Sequence, residues 1–143
     1  MANYPIVLFA YNKHDLTGRV LLALANNTLA KESDLIIFLD VPKIKNLIKT
    51  QELHSLINSY AKKFKSLTIH QRSHNFGLFG NITKGITQVL NSAEACIVLE
   101  DDIITSPYFL QYMNDGLNFY KNNKDVFSLS SLNFFDNTVG ETF

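Results

Sequence analysis

The chain has 143 residues, 46% hydrophobic and 18% charged, the proportions of an ordinary globular protein with length enough for one real core. Its 13 basic residues balance its 13 acidic ones, for a formal net charge of zero. That excludes a general nucleic-acid or membrane-surface binder, which carries a basic excess, but leaves room for a local positive pocket. No apolar run approaches the length of a membrane span.

The predicted elements alternate between apolar runs and amphipathic stretches. Ile6 to Ala10 reads as the first strand. Asp15 is the expected N-cap of a helix over Leu16 to Asn26, where Leu16, Val20, Leu21 and Leu24 share a face. Leu35 to Leu39 is the second strand and ends at Asp40; Pro42 then breaks the run. Asn46 to Phe64 holds a helix with Leu53, Leu56, Ile57 and Tyr60 on one face and lysines opposite. Leu67 to His70 is a short third strand, followed by a polar loop from Gln71 to Gly77. Leu78 to Asn91 is a third helix, with Ile82, Ile86, Val89 and Leu90 facing inward. Ala95 to Leu99 is the fourth strand. Pro107 suits the first turn of a helix that runs to about Tyr120, and Val126 to Leu129 reads as a fifth strand. There is no internal repeat and no low-complexity tract.

The strands are continuous apolar runs rather than alternating ones. That implies a mostly parallel sheet covered on both faces, a three-layer α/β/α Rossmann-like fold in one domain over residues 1–143. Right-handed crossovers then put every strand's carboxyl end on one edge, where open α/β sheets bind ligands.

The polar residues collect at that edge. Tyr11, Asn12 and Lys13 follow the first strand, Asp40 the second, and Arg72, His74 and Asn75 the third. Glu100, Asp101 and Asp102 follow the fourth. Three adjacent carboxylates repel one another, so packing alone does not ask for them. An acid before a helix can complement the helix dipole, but three together call for something positive. A hard divalent cation with oxygen ligands is the simplest candidate. Lys13, Arg72 and Lys84 set against Asp40 and the acid triplet form the mixture a nucleoside diphosphate needs: cations and a metal for its phosphates, acceptors for its base and ribose. Gly77 and Gly80 do not form a dinucleotide fingerprint and suit turn geometry and close packing at a helix start. His70 reads as strand filler, and His14 and His54 as surface residues. Cys96, the single cysteine, lies in an apolar strand and reads as a core residue. A cytoplasmic location is the expectation, from that lone cysteine and a first strand that leaves no signal peptide before Ile6.

Three stretches resemble the nucleotide-binding half of a GT-A-fold inverting glycosyltransferase, of the nucleotide-diphospho-sugar transferase superfamily. Ile6-Val-Leu-Phe-Ala-Tyr-Asn-Lys13 is similar to that group's first strand and nucleotide loop. Asn75-Phe-Gly-Leu-Phe-Gly-Asn81 resembles the asparagine-glycine loop before its third helix. Val98-Leu-Glu-Asp-Asp-Ile103, followed by Ser106-Pro-Tyr-Phe109, resembles the Glu-Asp-Asp version of the Asp-x-Asp metal motif, closest to the N-acetylglucosaminyltransferase I family. The tail Phe127-Ser-Leu-Ser-Ser-Leu-Asn133 is similar to that family's next strand.

The resemblance implies roles. Asp102 would ligate manganese or magnesium, Asp101 would approach the ribose, and Glu100 would lie near the donor sugar. Asp40 would accept from a uracil ring. Tyr11, Asn12 and Lys13 would wall the base and phosphate pocket, and Gly77 and Asn81 would belong to the same donor-binding set. The implied reaction is inverting transfer of a sugar from a nucleoside diphosphate, UDP by preference, to the hydroxyl of a glycan or other acceptor. The catalytic base is expected beyond residue 143, because Asp136 and Glu141 sit in no recognisable base motif. The chain thus resembles a donor-binding half without its acceptor half, inactive alone, with an uncovered apolar face or sheet edge that favours self-association. Its Asn-, Lys- and Ile-rich composition suggests a bacterial source and surface-glycan synthesis.

Three other readings compete. A nucleotidyltransferase also puts acids and a metal at this edge, but carries a glycine- and basic-rich loop where this chain has Tyr11-Asn-Lys-His-Asp15. A phosphoacceptor receiver domain places its acids after the first strand and a lysine after the fifth, where this chain has Ser130 and Ser131. A non-catalytic nucleotide-sugar-binding fragment is the remaining alternative.

Overall fold

The computed structural model describes residues 3–42 and 47–131. Its centre is a sheet of four parallel strands in the order β3-β2-β1-β4: β1 Ile6–Ala10, β2 Asp34–Leu39, β3 Ser66–Gln71 and β4 Ile97–Glu100. The register pairs Ile6 with Leu35 and with Ile97, and Leu35 with Leu67. Side chains alternate across a strand. Ile6, Leu8, Leu35, Ile37, Leu39, Ile97 and Leu99 therefore share one face, and Val7, Phe9, Ile36, Phe38, Val98 and Glu100 the other.

Helices α1 (His14–Ala25), α2 (Leu47–Ser59) and α4 (Phe109–Tyr120) cover the first face through Val20, Leu21, Leu24, Leu53, Ile57, Leu110 and Met113. Among the described residues helix α3 (Gly77–Leu90) alone covers the second, through Ile82, Ile86 and Val89. The expected three-layer parallel fold is what forms. No helix among the described residues is long and apolar enough to cross a membrane.

Several boundaries differ from those the sequence suggests. Helix α1 begins at His14 with Lys13 at its cap, and Asp15 lies in the first turn without capping it; the Thr17 N–H bonds the Lys13 carbonyl at 2.9 Å. The long second helix ends at Ser59 and passes into a 3-10 turn, Ala61–Lys63; its expected start at Asn46 lies outside the described residues. Helix α4 starts at Phe109, two residues past Pro107. Its amino terminus is capped from a distance: buried Asn27 accepts from the Leu110 N–H at 2.9 Å and donates to the Ala23 carbonyl at 3.0 Å.

No fifth strand forms over Val126 to Leu129, which is irregular. Its apolar residues do not act together. Phe127 is fully exposed, while Leu129 packs on the core beside Gly116, whose missing side chain leaves the room. The expected late acids Asp136 and Glu141, and the end of the tail motif at Asn133, lie outside the described residues.

Candidate functional site

The carboxyl ends of β1, β2 and β3 open into a cavity of about 220 Å³ on the face that α1 and α2 cover. Tyr11, Asn12, Asp40 and Gln71 supply polar groups, Leu39 and Leu53 the apolar lining, and Lys49 and Thr50 reach it from α2. A second groove of about 350 Å³ shares Asn12 and Lys49 with the first and adds Lys13, His14 and Glu52. A compact base-sized hollow thus runs into a groove walled by two lysines.

Asp40 is buried, at 5% exposure, between two loops. Its Oδ1 accepts from the backbone N–H of Val41 and of Phe76, both at 2.9 Å. Asn75 adds a second tie, donating to the Val41 carbonyl at 2.6 Å and accepting from the Gly77 N–H at 3.1 Å. These bonds pin the loop after β3 to the end of β2. Gly77 has φ of +69°, a left-handed conformation that favours glycine and opens α3 at this point.

The acid triplet is split by its surroundings. Asp101 is 6% exposed, and its Oδ2 accepts from the Tyr11 N–H at 3.1 Å. The Lys13 ammonium lies 3.5 Å from Asp101 Oδ1 and 3.6 Å from Asp102 Oδ2. The charge of Asp101 chiefly holds the Lys13 pKa above its ordinary value; lost hydration opposes it, and the charge of Asp102 adds a smaller raising effect. Asp102 is exposed, and Glu100 is the last residue of β4, half-buried beside Phe9 in the register. Alternation puts Glu100 on the α3 face rather than on the cavity's.

The structure therefore brings Tyr11, Asn12, Lys13, Asp40, Asp101 and Asp102 to one edge. Gly77, Asn81 and Glu100 do not line the cavity. Asn81 is spent inside the protein: its Oδ1 accepts from Arg72 Nε at 2.7 Å, and its amide donates toward the Phe38 carbonyl at 3.5 Å. Arg72 is no plain loop residue. Its guanidinium lies 4.5 Å from the Phe38 ring centre and 5.4 Å from that of Phe76. Burial lowers its pKa from the usual value and the charge of Asp40 opposes that, but a guanidinium remains charged at neutral pH. Lys84 sits over the Phe76 ring at 3.9 Å. His70 stacks on Phe38 and His54 bonds Gln71 at 2.9 Å. Cys96 lies just before β4 rather than in it and is half-buried against the α3-side cluster; that burial raises its thiol pKa.

Sequence reading missed Lys49, Thr50 and Gln71. The lysines of α2 read as a solvated face, and Gln71 as the start of a loop. A signal was there for Gln71, which ends a strand; none marks Lys49 without knowing how α2 packs.

A divalent cation fits the acid loop only in company. Among the described residues no group of three or more His, Cys, Asp or Glu side chains is placed to hold a metal. One or two carboxylates with substrate phosphates suffice for magnesium, however, and exposed Asp102 with the Asp101 carboxylate beside it offers that donor set.

The architecture has solved counterparts. At a TM-score of 0.65 and 16% identity, 84% of this chain overlays 33% of the crystal structure of S. aureus TarS 1–349 in complex with UDP. A second crystal structure of S. aureus TarS 1–349 gives a TM-score of 0.59 at 18% identity, with 84% of this chain on 32% of it. The protein thus has the α/β fold of these TarS structures. In sequence it is 28% identical, over 127 residues, to a poly(ribitol-phosphate) beta-glucosyltransferase of Bacillus spizizenii. The match takes in 89% of this chain and 18% of that relative, so the chain spans about a fifth of the relative's length. No protein-family model matches the chain.

Proposed function

We propose that this chain is the donor-binding part of an inverting glycosyltransferase that takes a sugar from UDP. One observation carries the reading: a polar hollow at Tyr11, Asn12 and Asp40 is tied to the acid loop through the Tyr11–Asp101 hydrogen bond and the Lys13 ion pairs. The TarS complex with UDP and the Bacillus glucosyltransferase support it from outside the chain.

In this reading the uracil ring enters the hollow and its N–H donates to Asp40. The two backbone bonds to Asp40 Oδ1 hold the carboxylate in place for that contact. Gln71, fixed by a 3.2 Å bond to the Leu39 carbonyl, presents its amide to the same space. The diphosphate follows the groove past Lys13 and Lys49. Asp102 would hold manganese or magnesium together with the donor's phosphates, and the ion would supply positive charge to the leaving diphosphate. Asp101 positions Tyr11 through its backbone rather than reaching the ribose. The acid loop follows the pattern of the N-acetylglucosaminyltransferase I family over Val98 to Phe109. The acceptor is the hydroxyl of a glycan or of a polyol-phosphate chain, and the carboxylate that removes its proton lies beyond residue 143. The setting is the cytoplasm of a bacterium building surface glycans.

Isothermal titration calorimetry tests this. UDP with manganese should bind; Asp40→Asn should weaken it about tenfold, the worth of one charge-assisted hydrogen bond. Asp102→Ala should abolish the manganese-dependent part while the far-UV spectrum is unchanged. Binding of GDP or CMP in place of UDP would refute the uracil assignment, and an unaltered Asp102→Ala titration would refute the metal assignment.

A further inference from the structure

Lys13 stands between the two halves of this site. Its ammonium touches one oxygen of each of two neighbouring carboxylates at 3.5 and 3.6 Å, and its stem lines the groove next to the hollow. Those contacts are ion pairs, but they are longer than the 2.7–2.9 Å typical of a tight charged hydrogen bond. The Lys13 side chain is 47% exposed and flexible, so it can change partner at little cost. Its two partners are not equivalent. Asp101 is buried and held by the Tyr11 N–H, whereas the Asp102 side chain is 52% exposed.

We propose that Lys13 is a transferable counter-ion: it neutralises Asp101 and Asp102 in the free protein and passes to the diphosphate when nucleotide arrives. This rests on the donor-binding reading above and adds how that site is regulated. While Lys13 sits on the acids, it repels a second cation from Asp102. When phosphates draw the ammonium into the groove, Asp102 regains its full charge. Nucleotide and divalent cation then favour each other's binding, and the coupling is reciprocal. Tyr11 adds a mechanical link, since the residue that lines the hollow hangs by its N–H from the carboxylate that Lys13 leaves.

The test titrates manganese alone, UDP alone, and manganese at saturating UDP into the wild-type chain and Lys13→Met, which keeps the stem and loses the charge. Lys13→Gln serves as a second variant, and circular dichroism checks the fold of each. Without nucleotide, both variants should bind manganese about fivefold more tightly than wild type, the scale set by a half-exposed ion pair. They should bind UDP alone more weakly, and the gain in manganese affinity on adding UDP should shrink toward one. Folded variants whose manganese affinity without nucleotide is unchanged or lower overturn the counter-ion assignment, while UDP–manganese binding by wild type leaves the donor reading standing. A wild-type chain that binds no UDP in either condition overturns both.

Discussion

At the scale of single residues, charge at this sheet edge is divided by hydrogen bonding. Asp40 and Asp101 are both buried carboxylates, and each accepts from backbone N–H groups of a neighbouring loop. One oxygen of each holds a loop, Oδ1 of Asp40 and Oδ2 of Asp101, and the other oxygen of Asp101 faces the Lys13 ammonium at 3.5 Å. Asp34, at the opposite end of β2, shows the purely structural version. Its carboxylate accepts from Lys65 Nζ at 2.8 Å and Ser66 Oγ at 2.6 Å, tying the starts of β2 and β3. The Lys65 bond first, then that of Ser66, lowers its pKa from the usual 3.8. A carboxylate whose folded pKa is depressed stabilises the protein fully above its unfolded pKa and loses that contribution as pH falls through the folded value. Asp34→Asn should therefore have a lower urea midpoint than wild type at pH 7, and the gap should close below about pH 4. A gap that does not narrow anywhere in the acid range where the protein stays folded would mean that the bond to Ser66, not the charge, does the stabilising.

At the scale of elements, α3 is the sole cover of its face of the sheet among the described residues, and one glycine lets it approach. A Cβ on Gly85 would lie 2.5 Å from Phe9 Cε1 and 2.9 Å from Phe38 Cδ2. Those two rings are stacked at 5.5 Å and almost wholly buried, so neither can swing clear. Gly85→Ala should lower stability by about 1–3 kcal/mol through overpacking, although alanine favours an isolated helix by about 1 kcal/mol. A urea midpoint equal to or above wild type would show that the rings yield. The sequence could announce the strands, because runs such as Ile6 to Ala10 and Leu35 to Leu39 are apolar on both faces. It could announce the inward side of α3 from Ile82, Ile86 and Val89. It could not announce Gly85, since a glycine inside a helix reads only as a weak helix former until the rings beneath it are known. The same limit misled the reading of Val126 to Leu129. Apolar β-forming residues say that a strand could form, and only the neighbouring surface says whether a partner exists. The places of Asp101 and Lys13 at the carboxyl ends of β4 and β1 were legible, whereas their mutual contact was not, because it spans 88 positions of the chain.

At the scale of the whole molecule, the question is whether the proposed donor site is complete within these residues. The chain matches 18% of the Bacillus relative's length and 33% of the solved TarS chain. Yet the hollow is built by the ends of β1, β2 and β3 with α2 behind them, and the acid loop by the end of β4. Every wall named above comes from a described residue. A ligand that binds only the folded state stabilises it by about 2.7 kcal/mol at a concentration of one hundred times its Kd. For a chain of this size, each kcal/mol moves the melting temperature by roughly 2–4 °C. UDP with manganese at that saturation should then raise Tm by about 5–10 °C in differential scanning fluorimetry, and a chelator should take back part of the shift. Uridine alone should give a smaller rise, because it fills the hollow at Asp40 and leaves the groove at Lys13 and Lys49 without its anion. Equal shifts from uridine and UDP would confine binding to the hollow and remove the groove from the site. No shift from millimolar UDP would mean that four strand ends are not enough, and that the donor site closes only with chain outside this stretch.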